Sequence, residues 1–257
     1  MKSSCTPINQ FQLSSFSAPV AGGHQVTHDI YSRGDGAPVV LVQELPGIGK
    51  ETLRLADKLV DAGFSVILPH LFGPLEKTSM AGNLLRVMCM RKEFALFSAN
   101  LSSPIVDWLR ALCRHIRDEQ GVSGVGMIGM CLTGNFALAL IGDDSVLAAV
   151  AAQPAMPFHK QDALHMSREE INNSRNALDD KGPMLGFRFQ GDKLSTAMKF
   201  QCIQEAFNDE RAERVRLETL PGKGHSVFTL DFVDEDGHPT YQALQSVITY
   251  FRSRLGA

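Results

Sequence analysis

The segment Gly126-Met127-Ile128-Gly129-Met130-Cys131-Leu132-Thr133-Gly134 constrains the fold of this chain more than any other stretch. Val125 to Met130 reads as a short buried strand, and Leu132 to Ile141 reads as a helix, with Cys131 at the junction. A strand with no polar alternation, turning directly into a helix, belongs to a sheet covered on both faces. The spacing is that of the G-x-S-x-G nucleophile elbow, with cysteine in the place of serine. Such a position holds its reactive atom above the sheet and beside a helix N-terminus, where unpaired backbone N–H groups favour a thiolate. The competing reading is a buried structural cysteine, the commoner fate of that residue.

Strand and helix patterns alternate along the rest of the chain, as in a largely parallel sheet. Residues 9–16 and 24–32 read as two antiparallel edge strands around the Gly22-Gly23 turn, and Val39 to Val42 as a strand buried on both faces. A helix over roughly 50–62 carries Leu53, Ala56, Leu59 and Val60 on one face and ends near Gly63. Phe64 to Pro69 is the next strand. A helix starts at Pro104, with Ile105, Leu109, Leu112 and Ile116 spaced as one buried stripe. Val146 to Ala152, Met184 to Phe189 and Val215 to Leu220 supply three later strands, and Pro239 opens a last helix. This pattern predicts an α/β fold over residues 1–257 as one domain, a mostly parallel central sheet between helical layers in a three-layer sandwich. Residues 71–102 and 154–183 break the rhythm after strand C-termini, the edge where open α/β sheets bind ligands, and so are candidate lid or wall segments. For 160–180 surface cover is the preferred reading.

Composition narrows the function classes. A net charge of −3 and the absence of a Lys/Arg stripe speak against nucleic acid as a partner. No apolar run of membrane-spanning length occurs, and Met1-Lys2-Ser3-Ser4-Cys5 does not open a secretion signal. The five cysteines are scattered and odd in number, which fits neither a disulfide framework nor a zinc knuckle. A cytoplasmic protein is expected, a monomer or small homo-oligomer acting on a small molecule, with no metal and no cofactor. Gly47-Ile48-Gly49-Lys50 only imitates a phosphate-binding loop, because Glu44 replaces the earlier glycine and Glu51 the required hydroxyl residue.

A thiol nucleophile needs a base, and the base needs a partner that orients it. Asp192 follows the strand Met184 to Phe189, and His225 lies in the glycine-flanked loop after the next strand. The order nucleophile, acid, histidine is that of the α/β-hydrolase fold. Alone, His225 reads as an ordinary loop histidine and Asp192 as a turn residue; their places on consecutive strand ends carry the case. Glu44 follows the strand Val39 to Val42 and so reaches the same sheet edge. There a carboxylate can take a thiol's proton, and its charge disfavours a permanently ionised cysteine. The backbone amides of Leu45 and Leu132 are the candidate oxyanion-hole donors.

Together, Gln43-Glu44, Gly129-Met130-Cys131-Leu132, Gly191-Asp192 and Gly224-His225-Ser226 resemble the dienelactone hydrolase family, from about residue 25 to the end. The resemblance implies a cysteine hydrolase of small cyclic or activated esters. In it Cys131 is the nucleophile, His225 the general base and acid, Asp192 its orienting partner, and Glu44 the control on thiol ionisation. The chain departs from the family pattern twice. Thr133 stands where the family elbow usually has the first of two glycines, so it either fits with a slight shift or turns its hydroxyl to the site. Thr229 stands where the archetype has a carboxylate-binding arginine, which leaves Arg91 as the candidate for binding a substrate carboxylate. The expected function is hydrolysis of a lactone or carboxylic ester through a thioacyl enzyme. The alternatives are a redox-sensing or ligand-binding protein on the same fold, and an acyltransferase.

Overall fold

The computed structural model describes residues 4–89, 103–155 and 163–256. Its strands are β1 (Gln12–Pro19), β2 (Gln25–Arg33), β3 (Ala37–Val42), β4 (Phe64–His70), β5 (Val125–Met130), β6 (Val146–Ala152), β7 (Met184–Phe189) and β8 (Val215–Leu220). They form a single sheet in the order β1-β2-β4-β3-β5-β6-β7-β8. β1 and β2 run antiparallel to their neighbours at one edge, and the strands from β4 to β8 are parallel. The helices are α1 (Lys50–Asp61), α2 (Met80–Cys89), α3 (Pro104–Gln120), α4 (Gly134–Leu140), α5 (Arg168–Lys181), α6 (Ala197–Phe207) and α7 (Pro239–Leu255).

The period of two along each strand sorts side chains into two cores. Val40 and Val42 face α3, α4 and α6, while Val39 and Leu41 face α1 and α7. The helical stripes expected from the sequence meet these faces: Leu53, Ala56 and Leu59 of α1, and Ile105, Leu109, Leu112 and Ile116 of α3, are all buried. Each such aliphatic side chain contributes about 1.5–3 kcal/mol when fully buried. Trp108 anchors α3 to the antiparallel edge, its indole N–H donating to the Val26 carbonyl at 3.1 Å.

Several local expectations shift. β1 begins at Gln12, because Ile8–Gln10 closes a 3-10 turn. The helix expected from Leu132 begins at Gly134, after a 3-10 turn over Cys131–Thr133, since Cys131 has a φ of +57°, outside any right-handed helix. Residues 71–102 contain α2. Residues 154–183 contain α5, whose start is a reciprocal capping box: Ser167 Oγ accepts from Glu170 N at 3.1 Å, and Glu170 Oε2 accepts from Ser167 N at 2.8 Å. α5 packs on α4 and α6; residues 90–102 and 156–162 of the two candidate lid or wall segments lie outside the described residues.

Candidate active site

Cys131 ends β5 at the carboxyl edge of the sheet, 5% exposed and held at positive φ. Two glycines make that turn possible. A Cβ on Gly129 would fall 2.1 Å from the Thr133 carbonyl oxygen, and one on Gly134 would fall 2.9 Å from that of Ala152. The strand and the following helix therefore approach more closely than any side chain permits. Backbone strain of this kind, at a non-glycine residue, is held in place by its surroundings. Here the Cys131 carbonyl accepts from Ala155 N at 3.0 Å, and Asn135 Nδ2 ties the Leu132 and Ala155 carbonyls at 3.2 and 3.0 Å.

Thr133 settles into this turn and does not face the site. Its hydroxyl accepts from Met130 N at 2.9 Å and lies within donating distance of the Gln43 and Val42 carbonyls at 3.1 and 3.3 Å. It thus stitches the end of β3 to the elbow. Gln43 completes that stitch on the other side, donating from Nε2 to the Phe72 carbonyl at 2.9 Å and accepting from Leu71 N at 3.0 Å.

Asp192 and His225 come together as expected. The Asp192 Oδ2 lies 2.7 Å from His225 Nδ1, and its Oδ1 accepts from Leu194 N at 2.8 Å and Ser195 N at 3.0 Å. Arg188 braces this turn. Its guanidinium is buried, and donates to the Ser195 and Gln190 carbonyls at 2.9 and 3.0 Å, on both sides of Asp192. The histidine's loop is tied down by Asp231, whose Oδ2 accepts from His225 N at 2.8 Å and Ser226 N at 2.9 Å. The other ring nitrogen, Nε2, is buried and makes no aligned hydrogen bond among the described residues. Burial disfavours the imidazolium, yet Asp192 and then Cys131 outweigh it by hydrogen bonding and charge, lifting the His225 pKa to about 10.

Glu44 is 2% exposed, at the end of β3. Its carboxyl group takes the Thr229 hydroxyl on Oε1 and the Ser226 hydroxyl, at 2.8 Å, on Oε2. Burial pushes its pKa up; the two hydroxyls and the charge of His225 pull the other way, and Asp231 adds to the rise. Both of these hydroxyls belong to the loop that carries His225. Thr229, in place of an arginine, is committed to Glu44. Leu45 follows the end of β3, and Leu132 lies in the 3-10 turn that follows β5. Arg91 lies outside the described residues.

Sequence reasoning missed Arg188, Gln153 and the pairing of Glu44 with Ser226 and Thr229. An arginine inside the apolar run Met184 to Phe189 was a visible signal of a buried polar role. The partners of Glu44 left no such trace. Among the described residues, no group of three His, Cys, Asp or Glu side chains gathers as a metal site, and no helix is long and apolar enough to cross a membrane.

The sequence profile of the dienelactone hydrolase family matches residues 30–255. The chain belongs to that family. Membership makes it a hydrolase acting on ester bonds, on the α/β-hydrolase fold. Solved structures repeat the fold at low identity. A dienelactone hydrolase from Anabaena variabilis superposes with a TM-score of 0.58 at 18% identity, over 96% of this chain and 99% of that one. A cold-adapted esterase from an Arctic intertidal metagenomic library gives 0.59 at 20% identity, over 95% and 94%. A candidate dienelactone hydrolase from Klebsiella pneumoniae gives 0.62 at 15% identity, over 93% and 98%. A sequence search of curated proteins gave no match.

Proposed function

We propose that this family member cleaves a small lactone or carboxylic ester through a thioacyl intermediate on Cys131. The observation that carries the reading is the meeting of a strained Cys131 with a His225 whose Nδ1 is held by Asp192 and whose charged form Cys131 favours. Cys131 Sγ, its proton already taken up by His225 Nε2, whose affinity for it is raised by Asp192 and Cys131, bonds to the ester carbonyl carbon. The carbonyl oxygen takes the charge and is stabilised by the Leu45 and Leu132 amides. As the C–O bond breaks, the imidazolium protonates the leaving oxygen. In a lactone that oxygen stays attached to the acyl chain. Neutral His225 then removes a proton from water, the hydroxide attacks the thioester carbon, and the C–S bond breaks to return the thiol and release the acid.

Asp192 orients the ring and stabilises its cationic form. Glu44 sets the charge around the pair: ionised it favours the imidazolium, and its raised proton affinity makes it a second acceptor for the thiol proton. Arg91 is the candidate group for a substrate carboxylate, a role tested by loss of preference for carboxylated esters in Arg91→Ala.

The decisive experiment pairs turnover with intact-protein mass spectrometry on rapidly quenched mixtures. Wild type acquires the mass of the acyl group and Cys131→Ala neither acquires it nor turns over aryl esters or lactones. Full activity in Cys131→Ala would overturn the mechanism. Acylation that is discharged only by an added alcohol or amine marks an acyltransferase, and selective oxidation of Cys131 by peroxide without any hydrolysis marks a redox sensor.

A further inference from the structure

A second strained residue stands beside Cys131. Met130 pairs with Ala152 in the parallel register, and Cys131 and Gln153 are the residues that directly follow them at the ends of β5 and β6. Gln153 has a φ of +36°, uncommon for any residue with a side chain, and is fully buried. Its backbone N–H donates to the Phe187 carbonyl at 2.6 Å, fixing it against β7. Its side chain reaches the loop of His225, where Oε1 accepts from Val227 N at 3.3 Å. That bond sets the amide's orientation, because a flipped amide would oppose two donors. The result is that Nε2 carries donors that meet no acceptor among the described residues, although the atom is buried.

A purely structural glutamine does not explain this. Oε1 alone holds the loop, and a buried donor without an acceptor is destabilising. Strain and an open donor occur together here, next to the nucleophile. In the proposed reaction the oxyanion is met by the amides after β3 and β5 and the leaving oxygen by His225, so the acyl substituent is the group without an assigned partner; Gln153 follows β6, the strand next to β5.

We propose that Gln153 is a specificity-determining residue whose Nε2 donates to an oxygen in the acyl portion of the ester. The site then prefers acyl groups carrying an ether, hydroxyl, carbonyl or carboxylate oxygen near the scissile carbonyl over their all-carbon counterparts. This rests on the cysteine-hydrolase reading and adds a substrate class to it. A site that hydrogen-bonds a substrate oxygen discriminates strongly against the analogue lacking it, because its own donor is then left unpaired.

The test compares p-nitrophenyl methoxyacetate with p-nitrophenyl butyrate, which differ by one oxygen in place of a methylene. Each kcat/KM is divided by the ester's rate with hydroxide, to remove intrinsic reactivity. Wild type is expected to favour the methoxyacetate by about tenfold, the discrimination of one hydrogen bond to a buried donor. Gln153→Met and Gln153→Leu, which both remove the donor, bring that ratio close to one. An unchanged ratio in either variant that folds, or an equal fall for both esters, overturns the proposal while leaving the cysteine hydrolase standing. A wild type inert to both esters, with Cys131 still open to alkylation, overturns the two readings together.

Discussion

Two polar clusters lie in this chain at opposite ends of the sheet, and they are built on opposite rules. At the amino end of β6, Asp143 is buried and fully engaged. Arg114 approaches its two oxygens at 3.3 and 2.6 Å, Ser145 donates from its hydroxyl at 2.6 Å and its N–H at 3.1 Å, and Arg110 lies 3.7 Å away. Beside it, Lys181 Nζ donates to the carbonyls of Ile141, Asp143 and Val146 at 2.7–2.9 Å, closing the end of α4. At the carboxyl end of the same strand and its neighbours, the buried His225 Nε2, Gln153 Nε2 and Ser195 Oγ make no aligned hydrogen bond among the described residues, and Cys131 and Gln153 hold positive φ. Saturated hydrogen bonding is what a structural network looks like. Open donors and strained backbone, both costly, gather at the end where we propose the ester binds.

Crossed substitutions are the strongest way to break the comparison. Cys131→Ala is expected to lower turnover by at least about a thousandfold and to leave the urea midpoint close to wild type. Asp143→Ala should do the reverse: it strands Arg114 and Ser145 and costs about 2–3 kcal/mol of stability, with kcat per folded molecule unchanged. A large stability loss in the first variant, or a large kcat loss in the second, would dissolve the distinction.

The clusters also differ in the sign of their pH dependence. Burial raises the pKa of Asp143, but the hydrogen bonds of Arg114 and Ser145 outweigh it, so the folded value lies below the usual 3.8. Its stabilisation is therefore present above that value and lost as the pH falls below it. The folded pKa of His225 is raised from 6.5 to about 10, so the folded state keeps a proton that the unfolded chain releases. Its stabilisation is complete below pH 6.5 and is lost as the pH climbs toward 10. Thermal melts should accordingly show an alkaline fall of a few degrees that His225→Gln flattens and an acid fall that Asp143→Asn flattens. Identical curves for wild type and His225→Gln would show that the ring is not held as an imidazolium.

Thr133 gives the smallest and sharpest test, since it sits at the active edge yet belongs to the saturated kind. Thr133→Ala removes one shared hydroxyl and is expected to cost about 1 kcal/mol in chemical denaturation, with the ratio of rates on different esters preserved. A change in substrate preference would place the hydroxyl in the site after all.

Much of the architecture was legible along the chain because its causes are local. Val39 to Val42 and Val125 to Met130 are apolar on every residue, which a strand covered on both faces requires. The stripe Ile105, Leu109, Leu112 and Ile116 has one helical period. α6 escaped notice because Ala197–Phe207 buries Lys199 along with Phe200, Ile203 and Phe207, so its inner face does not read as apolar. The start of α4 was misplaced because nothing in Leu132 or Thr133 reveals the positive φ of Cys131.

By itself, then, the sequence determined the layered sheet, the positions of Cys131, Asp192 and His225 after β5, β7 and β8, and, through the motifs around them together with Gln43-Glu44, the family resemblance. The tertiary structure alone decided who partners whom. Glu44 meets Ser226 and Thr229 across 182 and 185 residues, Thr133 turns inward to β3, and Gln153 comes to rest beside Cys131 with a donor to spare. Periodicity is a property of neighbours in the chain, and one sequence displays it. Hydrogen-bond satisfaction is a property of neighbours in space, and exists only once the sheet has brought its strand ends to one edge.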